Sequence, residues 1–225
     1  MQRRLRVGII YGGRSGEHEV SVESATSVLE AIDRTRYEVL PIAITHEGTW
    51  HIIEPAALLE RGVGHTTPLL PSADPQAPGL VSINGAVVSV REPLDVAFPL
   101  VHGTFGEDGC LQGLLELAGV PYVGAGVLGS AVAMDKIVMK RVFAAAGLPL
   151  VPCVEVFRGE WERDPGRIEK ELANRTTFPS FVKPGNLGSS VGISKVAGPD
   201  ELSAAIARAA EYSSRILLEA AVDAR

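Results

Sequence analysis

The sequence predicts an α/β protein in two parts, a parallel-sheet domain over residues 1–125 and an α+β lobe over residues 126–225. Two observations carry this. The first hundred residues open strand, helix, strand, the order of a βαβ unit with a right-handed crossover. The last fifty run strand, glycine loop, strand, helix, strand, an order that reads as α+β rather than doubly wound.

In the first part, "LRVGIIY" (5–11) is a short apolar run ending in Gly12-Gly13, a buried strand entering a turn. Val22, Ala25, Val28, Leu29 and Ile32 then recur at helical spacing, with Ser21 as the expected N-cap. "YEVLPIAI" (37–44) is the next strand, followed by a turn at Glu47-Gly48. Residues 60–80 read as a surface excursion rich in Gly, Pro and Thr, and "LVSINGAVVSV" (80–90) as a hairpin turning at Asn84-Gly85. "LDVAFPLV" (94–101) returns to the sheet, and the helix "CLQGLLELAG" closes with Gly119 as its C′ residue. In the second part, "SAVAMDKIVMKRVFAAAG" is expected to form one helix ending at Gly147, before strand 151–157 and a helix over 164–174. Strands 178–183 and 192–196, helix 200–211 and strand 215–222 complete it.

Composition narrows the function classes. A net charge of −6 and a pI near 5.4 argue against a nucleic-acid or anionic-membrane surface. Cys110 and Cys153 have neither a disulfide framework's number nor a metal site's spacing, which suits a reducing cytoplasm. The start "MQRRLRVGIIYGG" mimics a signal peptide, but its apolar run lasts only roughly five residues against the 7–15 required. No stretch approaches the roughly 20 apolar residues of a membrane span.

Four stretches could carry chemistry. "FVKPGNLGSSVGISK" (181–195) surrounds one lysine with glycines and serines, and backbone N–H groups in such loops approach anions closely. Lys183 precedes the glycines and Gly192 leads into a strand, so this is not a Walker A loop. A strand-end lysine under a lid of N–H groups is what a triphosphate needs. The plainer alternative is a solvated surface hairpin. "GGRSGEHEVS" (12–21) lies where parallel sheets bind ligands. Extended geometry there would point Glu17 and Glu19 the same way, toward a substrate ammonium; the alternative is an acidic first turn on the helix dipole. "HGTFGEDG" (102–109) places His102 at another strand end beside Glu107 and Asp108, a ligand-facing or a structural histidine. Finally, Gly124, Gly126 and Gly129 spell a GxGxxG, with Glu155 at about the spacing of a ribose-binding acid. That reading gives a dinucleotide-binding oxidoreductase, but its strand "VPYV" is short and little chain follows.

Taken together, "GGRSGEHEVSVESA", "HGTFGEDGCLQGLLELAGVPYVGAG", "AMDKIVMKR", "FVKPGNLGSSVGISKV" and "LLEAAV" resemble the D-alanine–D-alanine ligases of the ATP-grasp superfamily, in that family's order. The resemblance covers essentially the whole chain. It implies a Rossmann-like amino-terminal substrate domain (1–125) and a first ATP-grasp lobe (126–225) whose glycine hairpin is a lid over ATP. It further implies that Lys183 and Lys136 contact phosphates, with Gly188, Ser189, Ser190 and Val191 in the lid. Glu219 and the backbone near Ala221 and Val222 would face adenine; Ala220 stands where many members carry lysine. Glu17 would hold the ammonium of the first D-alanine in a network with Ser189, and His102 would orient that substrate's carboxylate. Dimerisation through the amino-terminal domain is implied by the resemblance alone.

The family's Mg²⁺ ligands, an Asp and a Glu-x-Asn pair, are expected in a carboxy-terminal lobe, and no Glu-x-Asn occurs in residues 1–225. The expectation is therefore a chain with that lobe absent, half an ATP site and no ligation by itself. The alternatives are a non-catalytic nucleotide or D-amino-acid binding module, and a ligase whose second substrate is D-lactate or D-serine.

Overall fold

In the computed structural model, which describes residues 3–72, 74–84, 87–188 and 190–223, the opening apolar run forms β1 (Leu5–Gly12). The chain divides into two units, Met1–Ala131 and Val132–Arg225.

In the first unit α1 (His18–Ala31) crosses from β1 to β2 (Tyr37–Ile44), which pairs parallel to β1. β3 (Trp50–Ile52) folds back antiparallel on β2, and α2 (Pro55–Arg61) follows. β4 (Leu70–Pro71), β5 (Gly79–Asn84) and β6 (Val87–Pro93) form a separate three-stranded sheet. β7 (Val96–Pro99) returns parallel to β1, giving the order β3-β2-β1-β7. α3 (Cys110–Leu117) and α4 (Val127–Met134) complete the run.

Both faces of this sheet are covered, which is why β1 reads as unbroken apolar sequence. Val7, Ile9 and Tyr11 pack against Val22, Ala25 and Leu29 of α1. Ile10 joins Ile42, Ala97, Leu111 and Leu115 in a second cluster. Gly119 has φ +64° and directly follows the Ala118 cap of α3, the left-handed terminus expected of it.

The second unit begins its regular structure with α5 (Lys136–Ala145), then β8 (Cys153–Phe157), α6 (Arg158–Arg163) and α7 (Pro165–Arg175). β9 (Ser180–Pro184) and β10 (Ser194–Val196) flank the glycine loop, and α8 (Leu202–Ala210) and β11 (Arg215–Ala220) follow. The sheet is antiparallel in the order β10-β9-β11-β8. Val154, Val156, Val182, Val196, Ile216 and Leu218 form its apolar face, packed with Ile168 and Leu172 of α7 and Leu202, Ala205 and Ile206 of α8.

Three expectations need correction. Ser21 does not cap α1: the helix starts at His18, and the fully buried Ser21 hydroxyl instead accepts from Gly12 N at 2.7 Å and donates to Leu100 O at 2.6 Å. The single helix expected to run to Gly147 is two, because Asp135 leaves helical geometry (ψ 101°) and its carboxylate accepts from Ile137 N and Val138 N as the N-cap of α5. Residues 60–80 are not all surface: Leu69 and Ser72 are buried, and β4 pairs with β5. β5 and β6 pair antiparallel as the expected hairpin requires, with Asn84 opposite Val87; the expected turn at Asn84-Gly85 reaches into Gly85 and Ala86, which lie outside the described residues. Among the described residues no helix is long and apolar enough to cross a membrane.

Candidate functional site

Strand register determines what the second unit presents. Lys183 of β9 and Glu155 of β8 both stand opposite Leu217 of β11, and Arg215 and Glu219 lie two residues either side of it. Side chains alternate along a strand, so all of these share one face, opposite the apolar one. α5 meets this charged face through side chains. Lys140 Nζ lies 2.7 Å from Glu219 Oε1, Arg141 pairs with Glu155, and Asp135 Oδ2 accepts from Arg215 Nη1 at 2.6 Å.

Glu219 sits between two cations, since its other oxygen accepts from Lys183 Nζ. Burial alone would raise its pKa. Hydrogen bonds and charge from Lys140 and Lys183 outweigh burial and hold it below the ordinary carboxylate value. Lys183 is thus tied back to the sheet rather than aimed freely at the loop mouth, and it also lies over the Phe181 ring, 5.5 Å from its centroid. Lys136, the first residue of α5, donates from Nζ to Leu187 O inside the glycine loop. Burial, and next the positive charge of Lys183, push its pKa down, while Asp135 and Glu219 oppose. Two ammonium groups are therefore held close enough to repel, an arrangement an anion would relieve.

The glycine loop is built around this pair. Gly185 accepts from Lys136 N and donates to Arg215 O, both at 2.8 Å. A Cβ there would fall 3.0 Å from Arg215 O. At the tip Val191 N donates to Gly188 O, Ser190 has φ +60° and Val191 is exposed. Gly192 has φ +70°, so β10 starts at Ser194 rather than at 192. Ser189 lies outside the described residues. Past β11, the Ala221 amide donates to Pro179 O, and Val222 is exposed.

In the first unit, Gly12 (φ +85°) and Gly13 (φ +107°) turn the chain out of β1. Glu17 is the residue before α1, and its Oε2 lies 2.3 Å from where a Cβ on Gly103 would sit, so a side chain there would displace the Glu17 carboxylate, and the φ of +71° at Gly103 favours glycine. Ser15 Oγ donates to His102 O at 2.7 Å, linking the two strand-end loops. Glu17 and His102 are thus brought to one end of the sheet. Glu19 is not: α1 begins at His18, and Glu19 points to His46 at 3.5 Å. His102 Nε2 lies 3.0 Å from Ser24 Oγ. Ser24 Oγ also donates to Val20 O at 2.9 Å, and His102 Nδ1 faces Glu107 at 4.0 Å.

The GxGxxG reading fares differently. Both Glu155 oxygens already accept from arginine, one from Arg141 and one from Arg215 Nε at 3.1 Å, so a ribose would have to compete with two guanidinium groups for it.

Residues 6–125 match the family profile described as D-ala D-ala ligase N-terminus, and residues 142–225 the profile described as D-ala D-ala ligase C-terminus. The chain belongs to the D-alanine–D-alanine ligase family. A D-alanine–D-alanine ligase of Natranaerobius thermophilus is 46% identical over 222 residues, covering 96% of this chain and 60% of its own length. One from Heliobacterium modesticaldum is 44% identical, covering 97% of this chain and likewise 60% of its own length. Among solved structures, the VanG D-Ala:D-Ser ligase of Enterococcus faecalis (34% identity, TM-score 0.84) covers 98% of this chain and 64% of its own. The D-alanine–D-alanine ligase of Coxiella burnetii (35% identity, TM-score 0.84) covers 99% and 65%. The chain thus spans about 60% of the length of these curated relatives.

Within this family context, sequence reasoning missed Lys140, Arg215 and Asp135, the groups that hold Glu219 and Lys136. The i,i+4 spacing of Lys136 and Lys140 was the available signal. Among the described residues no three His, Cys, Asp or Glu side chains gather to hold a metal ion.

Proposed function

We propose that this chain carries the D-alanine site and the phosphate-binding lobe of an ATP-dependent ligase that joins two D-alanines for peptidoglycan precursor synthesis. The supporting observation is the Lys136–Lys183 pair beneath the glycine hairpin, with Lys136 destabilised as a cation by burial and by its neighbour. A polyphosphate would neutralise both ammonium groups.

In this reading Lys183 leaves Glu219 for the phosphates, while Lys140 keeps Glu219 ionised. Glu219 and the backbone at Ala221 and Val222 accept and donate at the adenine edge. Gly188, Ser189, Ser190 and Val191 close over the phosphates and exclude water. Glu17 holds the ammonium of the first D-alanine, and His102, held by Ser24, orients its carboxylate. That carboxylate attacks the γ-phosphorus as ADP departs, giving an acyl phosphate. The amine of the second D-alanine then attacks the acyl carbon, phosphate leaves, and the amide nitrogen gives up a proton. The protein's contribution is positioning and charge neutralisation. Magnesium, the family's metal, would neutralise phosphate charge. The names of the curated relatives favour D-alanine as second substrate, and the Enterococcus faecalis neighbour makes D-serine the competitor. The exposed, unpaired thiols of Cys110 and Cys153 accord with a reducing cytoplasm.

The test is thermal stabilisation of the chain by MgATP, NAD⁺ and D-alanine, followed by phosphate release. Stabilisation by MgATP that vanishes in Lys183→Ala, with NAD⁺ inert, is expected. Stabilisation by NAD⁺ alone, or an undiminished MgATP response in Lys183→Ala, would overturn the reading.

A further inference from the structure

Arg215 is not among the groups that would touch substrate, yet it joins every part of the lysine site. Its Nη1 donates to Asp135 Oδ2 at 2.6 Å and its Nε to Glu155 Oε1 at 3.1 Å. Asp135 spends its other oxygen on the α5 N-cap, accepting from Ile137 N and Val138 N at 3.0 Å each. Arg215's own carbonyl accepts from Gly185 N, and Gly185's carbonyl accepts from Lys136 N. A closed circuit results, from Arg215 through Asp135 to the start of α5, on to Lys136, across Gly185 and back to Arg215.

We infer that Arg215 is a positioning residue for the polyphosphate site, fixing the Lys136 ammonium and the first residue of the glycine hairpin together. The inference rests on the phosphate-binding reading of Lys136. Three features support it. The guanidinium presents separate N–H groups, Nε and Nη1, to two carboxylates on different elements, a spread that the single nitrogen of a lysine does not match. Both of those carboxylates are less than a quarter exposed (Asp135 21%, Glu155 16%), so their bonds are partly shielded from water. Without the guanidinium, Asp135 loses the bond that orients it as a cap, and Lys136 stands at the position that cap defines. The two carboxylates are held by further partners, Glu155 by Arg141 and Asp135 by the helix amides, so the sheet survives the loss while the register of α5 against the hairpin loosens.

The experiment uses the full chain with Arg215→Met, Arg215→Lys, Lys136→Ala and the Arg215→Met/Lys136→Ala double variant. Binding of ATP and of adenosine is measured by calorimetry, and amide exchange at Ile137 and Val138 is measured without nucleotide. Arg215→Met is expected to weaken ATP about tenfold while leaving adenosine unchanged, and to speed exchange at both amides; Arg215→Lys restores part of each. In the Lys136→Ala background Arg215→Met should cost nothing further, because Arg215 acts through Lys136. Equal losses for ATP and adenosine, additive effects in the double variant, or unchanged exchange would each overturn the positioning role. A wild-type chain that fails to bind ATP would sink the phosphate-binding reading, and the exchange measurement would still decide whether Arg215 orders α5.

Discussion

Replacing Glu219 with Gln should uncouple the charged face of the second unit. In the wild type one carboxylate serves two ammonium groups, with side-chain exposures of 13% for Glu219, 11% for Lys140 and 23% for Lys183. An amide keeps one acceptor, turns an NH₂ donor toward a lysine, and leaves two partly buried cations without a counter-charge. Breaking a buried pair costs about 3–5 kcal/mol, and the partial exposure of Lys183 brings the expected loss to about 2–3 kcal/mol. The assay is urea unfolding followed by Trp161 in a Trp50→Phe background, since the two tryptophans fall in different units. The pH dependence has a defined sign. Glu219 titrates below its ordinary value when folded, so its contribution is complete above about pH 4.5 and is lost as pH falls through the lower folded value. The gap between wild type and Glu219→Gln should thus stay constant from neutral pH down to about 5 and close below it. A loss under about 1 kcal/mol at pH 7, or a gap that widens on acidification, would refute the view of Glu219 as a shared counter-ion.

Three further outcomes are expected. Ser21→Ala leaves a buried amide and a carbonyl unpaired between the ends of β1 and β7, and should cost about 2–4 kcal/mol in unfolding followed by Trp50; a loss below about 1 kcal/mol would contradict the bridging role. Gly192→Ala should destabilise the hairpin by about 2 kcal/mol, because φ is +70° and a Cβ would meet Pro184 and Tyr212 at 2.8 Å; protease cleavage within the loop should accelerate, and unchanged cleavage would argue against it. Burial, and then the charge of Glu54, push the Tyr11 hydroxyl above its ordinary pKa of 10.0. The unfolded chain therefore loses that proton first, and wild-type stability should fall above about pH 10 more steeply than that of Tyr11→Phe; parallel curves would refute this.

The strand–helix–strand opening, the α+β order of elements in the second unit and the left-handed Gly119 were legible because each is a local pattern of apolar period and turn chemistry. The family was legible for a related reason: its motifs are contiguous stretches. Ser21 was misread because a serine before a helical run scores as a cap whether or not its hydroxyl has better partners elsewhere. Its partner Leu100 O is 79 residues away. The break at Asp135 was hidden by the helix-forming residues on both sides of it. Which lysines meet Glu219 could not be read at all. The Lys183–Glu219, Arg215–Glu155 and Arg215–Asp135 pairs span 36, 60 and 80 residues, and each exists only because strand register and the packing of α5 bring one face together. The sequence alone determined which elements form, where the chain turns and which residue types are available to bind an anion, since those follow from neighbours along the chain. Tertiary structure alone decided the partners of each charge, because pairing depends on strand order and register, and these are fixed by burying the opposite, apolar face of the same sheet.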